Sequence, residues 1–177
     1  MTRSTTKAHP RDAISLLTYD HREVKNAFKE FMALGDRAFV ARKKLADEIC
    51  AQLSLHATLE EEIFYPAVRE GMKDGAALVD EASVEHFSAK ELISRIVAMA
   101  PEDDLYYATV KVLFDQVEHH VEEEEGKMFA KVRKSDMDLV ALGEEMIERR
   151  EQLFTIGSAT WPYTSNLVNL PLPQVQR

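Results

Sequence analysis

The sequence predicts an all-α protein: an antiparallel up-down-up-down four-helix bundle, followed by a fifth C-terminal helix and an irregular tail. Glycine and proline are sparse, with six of each in 177 residues, which favours long helices over strands and turns. Apolar residues recur three and four residues apart along successive segments, which is the period of an amphipathic helix. The connections between these segments are short, so that consecutive helices are expected to be antiparallel neighbours.

The first helix is predicted to begin at Pro10, with Asp12 in its first turn, where a carboxylate suits the helix dipole. Gly35 is expected to end it. Its apolar face carries Ile14, Leu17, His21, Val24, Phe28 and Phe31.

The second helix is predicted from about Asp36 to Glu70, with a stop at Gly71 and a kink at Pro66. Its apolar face carries Leu45, Ile49, His56, Leu59 and Ile63. The third helix follows the turn 71–75 and ends before Pro101. Its apolar face carries Val79, Ala82, His86, Ala89, Ile93 and Ile96.

The fourth helix is predicted over about 102–134, with Val110, Leu113, Val117, His120, Glu124 and Met128 on one face. The domain organisation expected is therefore a flexible N-terminus (1–9), a bundle (10–135), an extra helix (136–156) and an irregular tail (157–177). The tail is a candidate surface for a protein partner or for self-association.

Composition narrows the classes of function. The net charge of −9 argues against nucleic acid and anionic membranes as partners, because an acidic surface repels polyanions. The single cysteine, Cys50, excludes an intrachain disulfide and thiolate metal clusters. The polar stretch 1–10 does not resemble a signal peptide, and no run approaches the roughly 20 apolar residues that span a bilayer. We expect a cytoplasmic protein.

Four of the six histidines lie on the apolar faces of four different helices: His21, His56, His86 and His120. Two of them have a glutamate one helical turn later, in His56-Ala-Thr-Leu-Glu60 and His120-Val-Glu-Glu-Glu124. Residues four apart share one helix face. A glutamate buried there is costly unless it is paired or binds a metal.

The histidines are also predicted to lie at one depth of the bundle. In antiparallel helices, residues equidistant from the turn between them are level with each other. His86 and His120 are centred on Asp103, in the third turn, and the other pairs are similarly centred on their turns. An internal repeat agrees, because residues 56–69 (HATLEEEIFYPAVR) and 120–133 (HVEEEEGKMFAKVR) share the histidine, both glutamates, an aromatic residue, a valine and an arginine.

Imidazole and carboxylate ligands suit iron, manganese and zinc, and the balance of the two favours iron over zinc or manganese. A carboxylate from each of two opposite helices can bridge two ions, so that a binuclear site is expected.

This pattern resembles the haemerythrin-like, or HHE cation-binding, family over roughly residues 10–135. The motifs that carry the resemblance are the single histidine His21, the Glu-His pair at 85–86, the two His-x-x-x-Glu-Glu motifs and Tyr65-Pro66. The resemblance implies a di-iron centre with an oxo or hydroxo bridge. His21, His56, His86 and His120 would be ligands, and Glu60 and Glu124 would bridge.

Lys90 departs from the family pattern, because oxygen-carrying haemerythrins have a histidine at that place. The six residues then supply roughly eight coordination positions of the twelve that two octahedral irons need, and the bridge fills two more. The rest are open to water, to an exogenous ligand, or to Glu61 and Glu125. The departure puts reversible oxygen carriage in doubt and fits redox sensing, iron handling, or oxygen, peroxide or nitric oxide chemistry.

Other polar and aromatic residues have simpler interpretations. His9 and His119 are expected to be solvated. Glu61, Glu62, Glu123 and Glu125 are expected to be solvated or to orient metal-bound imidazoles. Phe64, Tyr65, Tyr106 and Tyr107 are expected in the core, although a tyrosine could reach iron, and Cys50 is interpreted as a small buried apolar residue.

The leading functional hypothesis is a non-haem iron protein that binds or senses oxygen, peroxide or nitric oxide, or that handles iron. A ferritin-like di-iron oxidase needs Glu-x-x-His, and no histidine here follows a glutamate at that spacing. A helical interaction module and an enzyme that reduces peroxide or nitric oxide remain alternatives.

Overall fold

The computed structural model describes residues 12–158, and it describes side chains as far as Phe154. Within that part of the chain all regular structure is helical, which confirms the predicted all-α class. Five helices follow one another: α1 (Ala13–Ala33), α2 (39–71), α3 (Gly75–Ala98), α4 (106–132) and α5 (Leu139–Ser158).

The first four helices form a closed ring of neighbours. Helix α1 packs on α2, α2 on α3, α3 on α4, and α4 returns to α1. Helix α5 lies outside this ring and packs on α1 and α2. Because each consecutive pair is joined by a short turn, the bundle is antiparallel, as the sequence predicts.

Two apolar clusters fill the bundle, one at each end. One cluster includes Leu17, Phe64 and Met146, and therefore joins α5 to the bundle. The other includes Phe28, Ile49 and Leu113. His21, His56, His86 and Glu124 lie along the chain between residues of one cluster and residues of the other, so a polar layer separates two apolar ones.

Helices α2 and α4 each contain a π-helical segment directly after their His-x-x-x motif. The segments are Glu60–Phe64 and Glu124–Met128. In each, the carbonyl of the glutamate accepts a hydrogen bond from the amide five residues later, at Tyr65 and Phe129. Such segments are rare and are frequent at functional sites.

The irregularity that the sequence placed at Pro66 is therefore found one turn earlier. Helix α2 continues through Pro66, which occupies the first turn of Tyr65–Gly71. The same π geometry recurs in α4, where residue 130 is alanine. Proline is thus not its cause.

Several predicted helix ends need correction. Asp12 is not in the first turn of α1 but caps it, accepting a 2.9 Å hydrogen bond from the amide of Ser15. Helix α4 begins at Tyr106 rather than near residue 102, because 101–105 form turns. Helix α5 begins at Leu139 rather than 136, because Asp138 caps it through the amide of Ala141 at 3.0 Å.

The turn between α2 and α3 requires glycine at its end. A Cβ atom on Gly75 would lie 2.2 Å from the carbonyl oxygen of Val68, so any larger residue would push the two helices apart.

Helix α5 extends through Gly157 and Ser158, two residues past the predicted end. The predicted start at Pro10, the N-terminus 1–9 with His9, and residues 159–177 of the predicted tail lie outside the described residues. Among the described helices, none is both long and apolar enough to cross a membrane.

Candidate metal centre

The structure brings the six predicted ligand residues together in one buried cluster. Glu60 is fully buried and the other five residues are at most 7% exposed. The six are His21, His56, Glu60, His86, His120 and Glu124. Their donor atoms form two overlapping groups, which we name position A and position B.

Position A comprises His21, His56, Glu60 and Glu124. The Nε2 atoms of His21 and His56 lie 3.1 Å apart. His56 Nε2 is 3.2 Å from Glu60 Oε2, and His21 Nε2 is 3.3 Å from Glu124 Oε2. Two imidazoles and two carboxylates from three helices thus point at one small volume.

Position B comprises His86, His120 and Glu60. The Nε2 atoms of the two histidines lie 3.2 Å apart, and His86 Nε2 is 3.3 Å from Glu60 Oε2. Glu124 Oε2 is 3.5 Å from His120 Nε2. Both glutamates therefore lie near histidines of both positions, as bridging carboxylates would.

Each of the four histidines has a carboxylate behind it, at its Nδ1 atom. The distances are 2.9 Å from His21 to Glu125, 3.4 Å from His56 to Asp20, 3.0 Å from His86 to Glu61 and 2.8 Å from His120 to Glu85. A proton held on Nδ1 by a carboxylate leaves the Nε2 lone pair free for a metal. Glu61 and Glu125 thus orient imidazoles, one of the two roles expected from the sequence.

Asp20 was not predicted, and Glu85 was noted only as part of the Glu-His motif at 85–86. Each directly precedes a histidine on α1 or α3, and each reaches the histidine of the next helix instead of its own neighbour. The repeated acid-histidine pairs Asp20-His21 and Glu85-His86, 65 residues apart, were the available sequence signal.

Lys90, at the place of the absent fifth histidine, is bound to a carboxylate. Its Nζ lies 2.6 and 2.7 Å from the two oxygens of Glu61, which in turn accepts from His86. Its counterpart 65 residues earlier is Lys25, whose charge acts on Glu125. The two-fold repeat therefore extends to the cations behind the carboxylates.

Tyr65 breaks the two-fold symmetry of the cluster; it lies in the core, as expected from the sequence, and its hydroxyl also reaches the cluster. Its hydroxyl donates to Glu124 Oε1 at 2.9 Å and lies 3.2 Å from His86 Nε2. Its counterpart in the second half is Phe129, which stacks on His21 with ring centroids 5.7 Å apart. Position B therefore has a neighbouring hydroxyl where position A has a phenyl ring.

The charges in the cluster stabilise one another. Burial opposes protonation of His56, but the carboxylates of Glu60 and Asp20 raise its pKa to about 10. Burial acts in the same direction on His86, and Glu60 and Glu61 raise its pKa to about 9. Glu60 is fully buried, yet its pKa lies well below the usual range because the charge of His56 faces it.

The hydrogen bonding of the glutamates fits a metal cation. Glu60 Oε1 and Glu124 Oε2 are buried and make no hydrogen bond to any described residue. Buried carboxylate oxygens are normally paired or bound to a metal. All donors are nitrogen or oxygen, which matches iron, manganese or zinc.

A cavity of about 300 Å³ lies against the histidines. All four imidazoles line it, and so do Arg150 and Phe154 of α5. The remaining walls are mostly apolar and include Val24, Leu53, Ala89, Ile93, Val117 and Val121. Glu60 and Glu124 do not line it, so the cavity opens on the imidazole side of the cluster.

The other residues considered from the sequence lie elsewhere. His119 is exposed and pairs with Glu85 at 3.6 Å. Glu62 pairs with Arg149, and Glu123 with Lys127. Phe64 and Tyr106 are buried in the core and Tyr107 packs beside it. Cys50 is a buried free thiol whose pKa burial raises to about 12.

The fold and the site define a helical bundle with a buried cluster of histidines and carboxylates suited to metal cations. The family model of the hemerythrin HHE cation binding domain matches residues 12–132. The chain belongs to this family.

Two known proteins are similar to the chain. A DNA nickase from Nostoc sp. (strain PCC 7120 / SAG 25.82 / UTEX 2576) is 32% identical over 122 residues, 68% of this chain. The match covers 33% of that relative, so the chain spans about a third of its length. The crystal structure of a hemerythrin HHE cation binding domain-containing protein from Mycobacterium kansasii has a TM-score of 0.72 at 24% identity. That alignment covers 89% of this chain and 97% of the other, and it supports the fold.

Proposed function

We propose that the chain binds two iron ions, one at position A and one at position B, and that it binds or senses a small apolar ligand there. The observation that carries the proposal is the convergence of four Nε2 atoms whose Nδ1 atoms are all held by carboxylates. Iron at such a site supplies open coordination positions and redox chemistry to a small ligand.

The protein residues in this proposal have distinct roles. The four histidines provide nitrogen ligands, and Glu60 and Glu124 lie between the positions and bridge them. Asp20, Glu61, Glu85 and Glu125 fix the imidazole orientation and increase imidazole basicity. The hydroxyl of Tyr65 is a further oxygen donor beside position B.

The cavity favours oxygen or nitric oxide over peroxide as the ligand. Its walls are mostly apolar, and an apolar cavity admits apolar molecules more readily than polar ones. Its volume of about 300 Å³ is far above the roughly 10–15 Å³ that holds one water molecule, and it is ample for a diatomic gas. The absent fifth histidine, replaced by Lys90, leaves coordination positions for that ligand.

The proposal does not extend to DNA cleavage. The name DNA nickase belongs to a relative of which the match covers only 33%, and the charge of −9 on this chain opposes binding to a polyanion. A cytoplasmic location remains part of the proposal.

Metal analysis with visible spectroscopy tests the proposed function. We expect about two irons per chain, with an oxo-to-iron charge-transfer band that changes when oxygen or nitric oxide is added. The double variant His56→Ala with His120→Ala should lose the iron, and His119→Ala, an exposed histidine, should retain it. A wild-type protein without iron affinity, or an iron content unaffected by the double variant, would contradict the proposal.

A further inference from the structure

We propose that Arg150 of α5 is a positioning residue for position A, so that metal binding at position A depends on α5. The inference rests on the two-metal site proposed above. It assigns a function to a helix that lies beyond residues 12–132, the part matched by the family model.

The geometry joins Arg150 to a metal ligand through one carboxylate. Arg150 Nη1 lies 3.1 Å from Asp20 Oδ1, and its Nη2 donates to Oδ2 of the same carboxylate. Asp20 Oδ2 lies 3.4 Å from His56 Nδ1. The chain of contacts is therefore Arg150, Asp20, His56 and the metal at position A.

The pairing with Arg150 keeps Asp20 in place. The two side chains are each 17% exposed, and their two parallel hydrogen bonds define the plane of the carboxylate. Without the guanidinium, the carboxylate of Asp20 would lose its bidentate partner and be free to rotate towards solvent. His56 would then lose the acceptor that fixes its tautomer and its orientation.

Position B is held by residues of the bundle itself. Behind His86 stands Glu61, which pairs with Lys90 of α3. Behind His120 stands Glu85, which also pairs with the exposed His119 of α4. The two positions are therefore supported differently, because α5 contributes at position A and only the bundle contributes at position B.

The nature of the lost contact indicates the size of the effect. Removal of a group that orients a metal-bound imidazole typically weakens metal affinity 10–100-fold. We expect Arg150→Ala to weaken one of the two metals by about that factor and to leave the other near its wild-type affinity. Arg150→Lys keeps the charge without the bidentate geometry and should restore part of the loss.

Arg149 provides a matched control in the same helix. It makes a similar two-bonded pair with Glu62, at 2.7 and 3.2 Å, and Glu62 is outside the cluster. Arg149→Ala should therefore weaken the docking of α5 to a similar degree without weakening metal binding at position A.

In the experiment, metal-free protein is titrated with ferrous iron in the absence of oxygen, and binding is measured by calorimetry. Thermal unfolding of each metal-free variant is measured as well. The inference is supported if the affinities for the two irons move apart in Arg150→Ala but not in Arg149→Ala. Equal binding by Arg150→Ala and wild type, or equal losses in both variants, would overturn it. Asp20→Asn provides a second test that leaves α5 unaltered, and unchanged iron binding in this variant would also overturn the inference. Failure of the wild type to bind iron would instead overturn the proposed function.

Discussion

Lys90 Nζ lies 2.6 Å from Oε2 of Glu61, so the residue in place of a fifth histidine supports the carboxylate that contacts His86. The pair is largely buried, with 15% and 14% of the side chains exposed. The carboxylate of Glu61 is therefore engaged by His86 and Lys90 together, and it does not point into position B.

Replacement of Lys90 by methionine should weaken iron binding at position B. Without Lys90, Glu61 is expected to orient His86 less firmly. We therefore expect the iron affinity of position B to fall roughly tenfold. Iron titration measures this. The control is Lys111→Met, which removes an exposed cation paired with Asp115. Unchanged affinity in Lys90→Met would show that the pair with Glu61 does not support His86.

Tyr65→Phe should alter the spectrum of the iron-loaded protein without emptying the site. The variant loses the bond to Glu124, which costs about 1–3 kcal/mol in the metal-free protein. If the phenolate binds iron at position B, a visible phenolate-to-iron absorption band disappears while both irons remain.

The matched variant for Tyr65 is Phe129→Tyr, which places a hydroxyl in the equivalent place beside His21. An absorption band that strengthens in Phe129→Tyr and vanishes in Tyr65→Phe would be assigned to a phenolate bound to iron. Identical spectra for Tyr65→Phe and wild type would leave Tyr65 only a hydrogen-bond donor to Glu124.

Filling the cavity should separate ligand binding from metal binding. Ala89 lines the cavity without belonging to the metal cluster, and phenylalanine there occupies much of its volume. We expect Ala89→Phe to retain iron and to lose at least tenfold in the rate of nitric oxide binding, measured by stopped-flow absorbance. Ser94→Phe adds the same ring on the exposed face of α3 and should bind at the wild-type rate. Equal rates in both variants would place the ligand route elsewhere.

The metal-free protein should lose stability at alkaline pH. Histidine in an unfolded chain titrates near pH 6.5, whereas folding raises the pKa of His56 to about 10 and that of His86 to about 9. Between pH 6.5 and these folded-state pKa values, the native state therefore binds more protons than the unfolded chain. The resulting stability is complete below pH 6.5 and is lost as the pH rises through 9 and 10.

Thermal unfolding of metal-free protein by circular dichroism measures this pH dependence. The melting temperature should fall steadily from pH 6.5 to pH 10, and the slope should be smaller in His56→Ala. His119→Ala, which changes an exposed histidine, should keep the wild-type slope. A melting temperature that rises over this range would contradict the proposed pairing of imidazolium with Glu60 and Asp20.

The depth of the site could be predicted from the sequence because helical rise is constant. Equal distances from a turn place two residues level with each other, and the Nε2 atoms of His86 and His120 are indeed 3.2 Å apart. The carboxylates behind the histidines were only half predicted. All four carboxylates contact a histidine of another helix, which a pattern within one helix does not indicate. Glu61 and Glu125 were singled out because they directly follow Glu60 and Glu124 in the repeated motif.

The contribution of α5 could not be predicted from the sequence. Arg150 meets Asp20 across 130 residues, and that meeting depends on how α5 lies on α1, which periodicity does not determine. The contact of the Tyr65 hydroxyl with Glu124 could not be predicted for a related reason. Its hydroxyl reaches Glu124 from the residue directly after a π-helical segment, and a regular α-helix would direct it elsewhere.

The π segments could not be predicted from the spacing of buried residues. Steps of four occur there, at Glu60, Phe64 and Val68, but they also occur in the regular α-helical part of α2, at Arg42, Ala46 and Cys50.

The wider turn of each π segment constrains how related chains vary in length. In a regular α-helix of the same residues, the part of the helix after Glu60 would be rotated by roughly 100°, turning Val68 away from the core. Insertions and deletions should therefore accumulate in the turns 72–74 and 99–105. A related chain that lacks a π segment should be one residue shorter at that place.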